Sequence, residues 1–239
     1  MSVQLVNAES LSYLTAMEGK VRCIFFDPPD FYLEGLRENR IEEIKHNLVI
    51  WIKEVVRLSV EKCDIFWVTI PSICWLNTIA ELNIYDNHIT KMFRFEWIHK
   101  HIVGDDADYH DSMKTILQIR KTEVEVNSLA ISEESYKSLS GRPCAKPRLV
   151  TNNWQVSKVI STSIEWVSWC KDQIPVIIYS DIIKYSCKKN DTFLDLTAGS
   201  GTCFRAGRLH PKINIIGLEA NPDLCNKIIE HHKELQVIC

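Results

Sequence analysis

Short apolar runs alternate along the chain with segments in which apolar residues recur every three or four positions. The runs Val21–Phe26 and Asp64–Ile70 have the length and continuity of strands buried on both faces of a sheet. Between them, apolar residues recur at helical spacing from Asn39 to Ser59, which predicts an amphipathic helix. Strand, helix and strand in this order predict an α/β fold with a mostly parallel sheet and right-handed crossovers.

The remaining pattern extends this alternation to the end of the chain. A helix is predicted after Pro175, and another begins at Asn221, where asparagine can cap the helix and a proline follows in the first turn. Periodicity is poor between residues 122 and 154, where turn residues are frequent. The other predicted elements are short strands over 3–6, 91–98, 115–120, 193–195 and 213–219, helical turns around 11–17, and a second crossover helix over 72–82.

An acidic residue followed by two prolines ends the first buried run. Pro28 and Pro29 have no N–H, so nearby carbonyl groups have fewer local donors. In an open α/β sheet, ligands bind at this edge. A carboxylate beside unbonded carbonyls suits an exocyclic amino group, which has two hydrogens to donate. A solvated Asp27 in a strand-ending turn is the other interpretation.

A second apolar run also ends at an acidic residue, and a glycine turn follows it. The run includes Phe193 and Leu194 and reaches Asp195, and Gly199-Ser200-Gly201 then leads into a helix. The next predicted strand ends at Glu219. This order of elements is typical of a nucleoside-binding site: a strand, a glycine turn, a helix and a further strand that ends in an acidic residue. In such a site the acidic residue binds the ribose hydroxyls.

Together these stretches resemble the β group of amino-group DNA methyltransferases, which use S-adenosylmethionine. The catalytic motif of that group is Asp/Asn/Ser-Pro-Pro-Tyr/Phe, its cofactor motif is Phe-x-Gly-x-Gly, and the catalytic motif comes first, as here. Residues 3–10 are similar to its first strand and adenine-contacting turn, 95–100 to its Trp-x-x-Lys strand, and 172–175 to the Pro-rich segment before the cofactor motif. The resemblance implies a Rossmann-like class I methyltransferase fold in circularly permuted order. It further implies one domain over residues 1–239, with a mostly parallel seven-stranded sheet and an antiparallel edge hairpin.

The resemblance also implies roles for individual residues. The expected catalytic residues are Asp27, Pro28, Pro29 and Asp30, and the expected base-stacking residues are Phe31 and Tyr32. The expected cofactor-binding residues are Asn7, Ala8, Glu9, Phe26, Asp195, Leu196, Thr197, Ala198, Gly199, Ser200, Gly201, Glu219 and Asn221. A short target-recognition insertion over residues 122–160 would contribute Arg142, Lys146 and Arg148 to DNA binding, although the same residues also fit a solvated linker.

Two positions depart from the family motifs. Asp30 stands where the catalytic motif ends in an aromatic residue, and Thr197 stands where the cofactor motif begins with Phe. The expected activity is methyl transfer to an amino group of a DNA base within a restriction-modification setting, with adenine N6 favoured over cytosine N4 because the motif begins with Asp. The departures keep two alternatives open: a non-catalytic subunit of this fold that binds nucleic acid or a partner, and a methyltransferase acting on RNA or on a protein amide.

Composition limits the partners and the cellular setting. The chain of 239 residues has a formal net charge of −3, so any DNA-binding surface must be local. The nine cysteines form no Cys-x-x-Cys pair and indicate reduced thiols in an intracellular, cytoplasmic protein. No apolar run approaches bilayer length and the start does not look like a signal peptide, so we expect no membrane partner. The His- and Asp-rich stretch 99–111 lacks a ligand pattern, and we expect no metal. DNA is the expected partner, and a homodimer or a partner subunit stays open.

Overall fold

A computed structural model describes residues 2–28, 41–70, 91–98, 113–127, 152–170, 172–232 and 235–238. We number the elements within these ranges in chain order. The strands are β1 (Val3–Asn7), β2 (Val21–Phe26), β3 (Cys63–Ile70), β4 (Lys91–Ile98), β5 (Met113–Arg120), β6 (Asn153–Gln155), β7 (Thr192–Asp195), β8 (Asn214–Glu219) and β9 (Gln236–Ile238). The helices are α1 (Ser10–Ala16), α2 (Ile41–Lys62), α3 (Val176–Ser186), α4 (Thr202–Arg208) and α5 (Pro222–His231).

The strands form one sheet in the order β6-β4-β5-β3-β2-β7-β8-β1-β9. Strand β5 runs antiparallel to both of its neighbours, β3 and β4. The other neighbouring pairs are parallel. The mostly parallel sheet and the antiparallel hairpin are therefore confirmed. The first two strands of the chain flank the late strands β7 and β8, as expected for the permuted order.

The predicted bounds agree with the structure where the pattern is long. Strand β2 has the predicted limits, and α2 runs three residues past the predicted end at Ser59. The sheet has nine strands instead of the predicted seven, because β6 and β9 were missed. Each is 3 residues long, which is too short to show a period. The predicted helix over 72–82 and the stretch 99–111 lie outside the described residues.

Apolar side chains cover the sheet on both faces. Phe25 and Phe26 are consecutive and fully buried, and they point to opposite faces because side chains alternate along a strand. Phe25 packs edge-on against Tyr179 of α3, with ring centroids 4.8 Å apart. Phe26 packs on the other face against Trp51 of α2, at 5.2 Å. A strand enclosed in this way is apolar until it leaves the sheet, so the first acidic residue after it, Asp27, marks the edge where a site can form.

None of the described helices combines the length and the apolar character needed to cross a membrane.

Candidate active site

The two motif turns lie side by side at one edge of the sheet. Strands β2 and β7 are parallel neighbours, with Phe25 opposite Asp195. The N–H of Leu196 donates to the carbonyl of Phe25 at 2.9 Å. Two residues beyond the Phe25–Asp195 pair, where both strands have ended, the N–H of Asp27 donates to the Thr197 hydroxyl at 3.1 Å. The two turns are therefore adjacent, and the Thr that replaces the motif Phe supplies a hydrogen bond between them.

Among the described residues, the side-chain donors to Asp27 all bind one oxygen of its carboxylate. The Thr69 hydroxyl, at the end of β3, donates to Asp27 Oδ1. The Lys114 ammonium on β5 lies 2.7 Å from the same oxygen. No donor among the described residues binds Asp27 Oδ2. One oxygen is therefore fixed by two donors, and the other can accept a hydrogen bond from a ligand.

The glycine turn has a left-handed backbone at both glycines. Gly199 has φ of 46° and Gly201 has φ of 75°, a region that residues with a Cβ rarely adopt. Gly201 is also the N-cap of α4. A Cβ on Gly201 would lie 2.9 Å from His232 Nε2, so a side chain there would meet both backbone strain and a steric contact.

Glu219 binds the glycine turn from the neighbouring strand end. Its Oε2 accepts the N–H of Gly199 at 3.0 Å, and its Oε1 accepts the N–H of Asn221 at 2.9 Å. Burial raises the pKa of the Glu219 carboxyl, and these backbone hydrogen bonds act in the opposite direction. Glu219 is thus fixed with both oxygens at the edge of the sheet.

Asp195 supports the turn from inside the protein. Its side chain is fully buried. It accepts hydrogen bonds from the Tyr179 hydroxyl at 2.9 Å and from the Thr197 N–H at 3.0 Å. Burial raises the pKa of Asp195 to about 7, and the nearby negative charge of Asp27 adds to the rise. Asp195 therefore stabilises the conformation of the turn through these hydrogen bonds, and its carboxyl group does not face solvent.

The end of β1 joins the same edge. The Asn7 side chain donates to the carbonyl of Glu219 at 2.8 Å, and the Ala8 N–H donates to the same carbonyl at 3.1 Å. The Glu9 carboxylate caps α1 by accepting the N–H groups of Leu11 and Ser12. The Asn221 side chain caps α5 as predicted. The other described cofactor candidates are buried in or beside the turns: Phe26, Leu196, Ala198 and Ser200.

Several predicted site residues lie outside the described residues. They are Pro29, Asp30, Phe31, Tyr32, Arg142, Lys146 and Arg148. Pro28 is described and buried. Of the target-recognition insertion, the described parts are 122–127 and 152–160, which include β6. In the described part of the chain, no group of three His, Cys, Asp or Glu residues could hold a metal ion.

Four residues at this edge were missed by sequence reasoning: Thr69, Lys114, Trp169 and Cys170. Trp169 Nε1 donates to the carbonyl of Gly199 at 3.2 Å. Burial raises the pKa of the Cys170 thiol to about 11, and the negative charges of Asp27, Asp172 and Glu219 contribute, so the thiol stays neutral near pH 7. Thr69 could have been identified from the sequence, because it is a polar residue beside the end of a buried strand. No pattern around Trp169 or Cys170 indicated the contact with the glycine turn.

A comparison with protein-family models decides the family. The model of the N6 and N4 DNA methylases matches residues 21–230. The chain belongs to this family of DNA methylases.

Solved structures agree with the fold of a DNA methylase at low sequence identity. The PvuII DNA methyltransferase, which is cytosine-N4-specific, matches with TM-score 0.69 and 16% identity over 94% of this chain and 84% of that chain. The M1.HpyAVI–SAM complex matches with TM-score 0.63 and 16% identity over 95% of this chain and 98% of that one. TTHA0409 from Thermus thermophilus, complexed with S-adenosyl-L-methionine, matches with TM-score 0.65 and 14% identity over 99% of each. No curated protein matches the chain.

Two glycines of the methylase with a left-handed backbone, Gly201 in the glycine turn and Gly19 outside it, give a matched pair of substitutions. Gly201→Ala is expected to lower the free energy of unfolding by about 2–3 kcal/mol, from left-handed backbone strain plus crowding against His232. Gly19 has φ of 77° with no described atom within 4 Å of a built Cβ, so Gly19→Ala carries the strain alone and is expected to cost about 1–2 kcal/mol. Urea unfolding of both variants checks the difference, and equal losses would contradict the role of the His232 contact.

Proposed function

We propose that this DNA methylase transfers a methyl group from S-adenosylmethionine to an exocyclic amino group of a DNA base, with adenine N6 favoured over cytosine N4. The observation that supports the proposal best is the single held oxygen of Asp27 beside the glycine turn. Asp27 Oδ1 is bound by Thr69 and Lys114, while Oδ2 has no donor among the described residues. The hydrogen bond from Asp27 N–H to Thr197 keeps this carboxylate beside the turn at 3.1 Å.

The residues along the edge fit the nucleoside part of S-adenosylmethionine. Each carboxylate oxygen of Glu219 accepts one backbone N–H. Because a carboxylate oxygen can accept a second donor, the ribose hydroxyls can bind there. Gly199 and Gly201 put no side chain between the backbone and a ligand. When bound, the cofactor supplies a methyl group on a positively charged sulfur, and the M1.HpyAVI and TTHA0409 structures contain it.

The chemistry of Asp27 and Pro28 follows from the electronic structure of the amino group. The nitrogen lone pair of adenine N6 or cytosine N4 is delocalised into the ring and is a weak nucleophile. Asp27 Oδ2 and the Pro28 carbonyl can accept the two amino hydrogens and thereby favour a tetrahedral nitrogen, whose lone pair is available for attack. The Asp27 carboxylate can then take up the proton that the nitrogen loses, whereas the Pro28 carbonyl only accepts a hydrogen bond. Catalysis then needs positioning and local electrostatics.

The target base must leave the duplex to reach this edge. A base within a stacked helix cannot place its amino group against Asp27, so it must be flipped out or single-stranded. We propose Phe31 or Tyr32 as the stacking surface and Arg142, Lys146 and Arg148 as phosphate contacts, on the family resemblance. The preference for adenine rests on the Asp at the start of the motif, since N4-cytosine members often begin with Ser.

Methyl transfer to unmodified DNA tests this proposal. The purified chain is incubated with radiolabelled S-adenosylmethionine and duplex DNA, and the DNA is then digested to nucleosides. We expect label on N6-methyladenosine, and label on N4-methylcytidine would overturn the preference for adenine. Label on RNA or protein with none on DNA would overturn the DNA assignment. Cofactor binding by calorimetry without any transfer would point to a different substrate or a missing partner, and the absence of cofactor binding would favour the non-catalytic subunit and overturn the cofactor roles of Gly199, Gly201 and Glu219.

A further inference from the structure

A partly buried cation lies against the proposed catalytic carboxylate. The side chains of Lys114 and Asp27 are 15% and 18% exposed, and Lys114 Nζ lies 2.7 Å from Asp27 Oδ1. Lys114 is near the start of β5, where it is opposite Trp97 of β4. Because β5 runs antiparallel to β3, the beginning of β5 reaches the edge at which β2 and β3 end.

Such a pair brings little stability by itself. Removing two charges from water costs several kcal/mol, and a buried ion pair often does no better than apolar residues of the same volume. The more direct consequence of the ion pair is to fix the orientation of the Asp27 carboxylate. The Asp27 carboxylate has two equivalent oxygens and can turn about its last side-chain bond. With the Lys114 ammonium and the Thr69 hydroxyl both on Oδ1, one orientation is favoured.

We propose that Lys114 is a positioning residue that holds the Asp27 carboxylate so that Oδ2, and not Oδ1, accepts one hydrogen of the amino group of the target base. This inference rests on the proposed function, because it concerns the same carboxylate. Lys114 acts through Asp27 and does not touch the reacting atoms. The other role open to a lysine at a DNA-binding edge is a phosphate contact, and the two roles differ in what they do to kcat and to salt dependence.

The first test separates these roles by kinetics. Lys114→Met is expected to lower kcat by about 10- to 100-fold, the size of effect that misplaced groups produce, with the KM for S-adenosylmethionine nearly unchanged. Lys91→Met is the matched control, since Lys91 is exposed at the far end of the same hairpin. Lys114→Arg keeps the cation and should recover part of the loss. An unchanged kcat in Lys114→Met would overturn the proposal.

The salt dependence of DNA binding distinguishes the phosphate contact. Losing one phosphate contact lowers the slope of log K against log salt concentration by about one unit. A positioning lysine leaves that slope at the wild-type value. A slope reduced in Lys114→Met but not in Lys91→Met would therefore assign Lys114 to DNA and overturn the positioning role.

A thermal double-mutant cycle tests the pair without any activity measurement. Lys114→Met leaves the Asp27 charge unpaired and should lower Tm by several degrees, whereas in an Asp27→Asn background the same change should be close to neutral. Equal Tm losses in both backgrounds would show that Lys114 does not act through Asp27. Because this readout needs no DNA and no cofactor, it tests the coupling between Lys114 and Asp27 even where wild type transfers no methyl group. A failure of the ion pair can therefore be distinguished from a failure of the proposed function.

Discussion

Asp27→Ala is expected to lower kcat for DNA methylation by about 100- to 1,000-fold, the size of effect seen when one preorganised electrostatic partner of a reacting group is removed. The carboxylate is the acceptor beside the glycine turn, and its replacement also leaves Lys114 without the oxygen it binds at 2.7 Å. Because most of the proposed cofactor-binding residues lie on or just after β7, β8 and β1, the affinity for S-adenosylmethionine should change little. Single-turnover methylation together with calorimetric binding of the cofactor measures the two quantities separately.

Asp64 provides the control for this substitution. It lies at the opposite end of β3 and pairs with Arg22 at 3.2 Å, away from the turns. Asp64→Ala removes a carboxylate of the same size and is expected to alter stability without changing kcat. A variant of Asp27 that keeps wild-type kcat would falsify the role given to its carboxylate. A loss of cofactor binding as large as the loss of kcat would instead indicate that the substitution damages the glycine turn.

Asp181→Asn is expected to change the pH dependence of stability. Asp181 is 4% exposed on α3, and its Oδ1 has no hydrogen-bond partner among the described residues. Burial raises the pKa of Asp181 from 3.8 to about 7, with Lys184 opposing the rise. The folded protein holds this proton more tightly than the unfolded chain does. Its contribution to stability is therefore complete below about pH 4 and is lost as the pH rises through about 7.

The expected size follows from the shift. A rise of about three pKa units corresponds to about 4 kcal/mol between pH 4 and pH 8, as an upper value. The stability of Asp181→Asn relative to wild type should therefore increase by up to about that amount over this range. Chemical denaturation at pH 4, 6 and 8 measures it. Asp223→Asn, at an exposed position on α5, is the control for the replacement of a carboxylate by an amide. A flat difference for Asp181→Asn would contradict the raised pKa.

The elements of the fold that are fully buried could be predicted from the sequence. A strand enclosed on both faces is apolar over its buried part, here Cys23 to Phe26, which is why the end of β2 could be read directly. The cap at Asn221 was predictable because it depends on neighbouring backbone N–H groups. Strands β6 and β9, with 3 residues each, depend on the strands they pair with and leave no local pattern.

The site was predictable in its motifs but not in its supporting contacts. Asp27, Gly199 and Glu219 each end or follow a recognisable strand, so the topology alone brings them to one edge. Lys114 reaches Asp27 only because β5 is antiparallel, and the register of a hairpin cannot be read from either strand alone. Thr197 appeared only as a departure from the motif Phe, and its hydrogen bond to Asp27 became evident from the pairing of β2 with β7.

The sheet order has a consequence for how the chain folds during synthesis. Among the described strands, β1 pairs only with β8 and β9, so its partners leave the ribosome roughly two hundred residues after it does. Until then β1 lacks both of these neighbours, and β2 lacks β7 on one side. Contacts so distant in sequence slow folding, and uncovered strand edges promote aggregation. We expect the nascent chain to need chaperone protection until its last strand emerges, and expression at low temperature to raise the soluble yield.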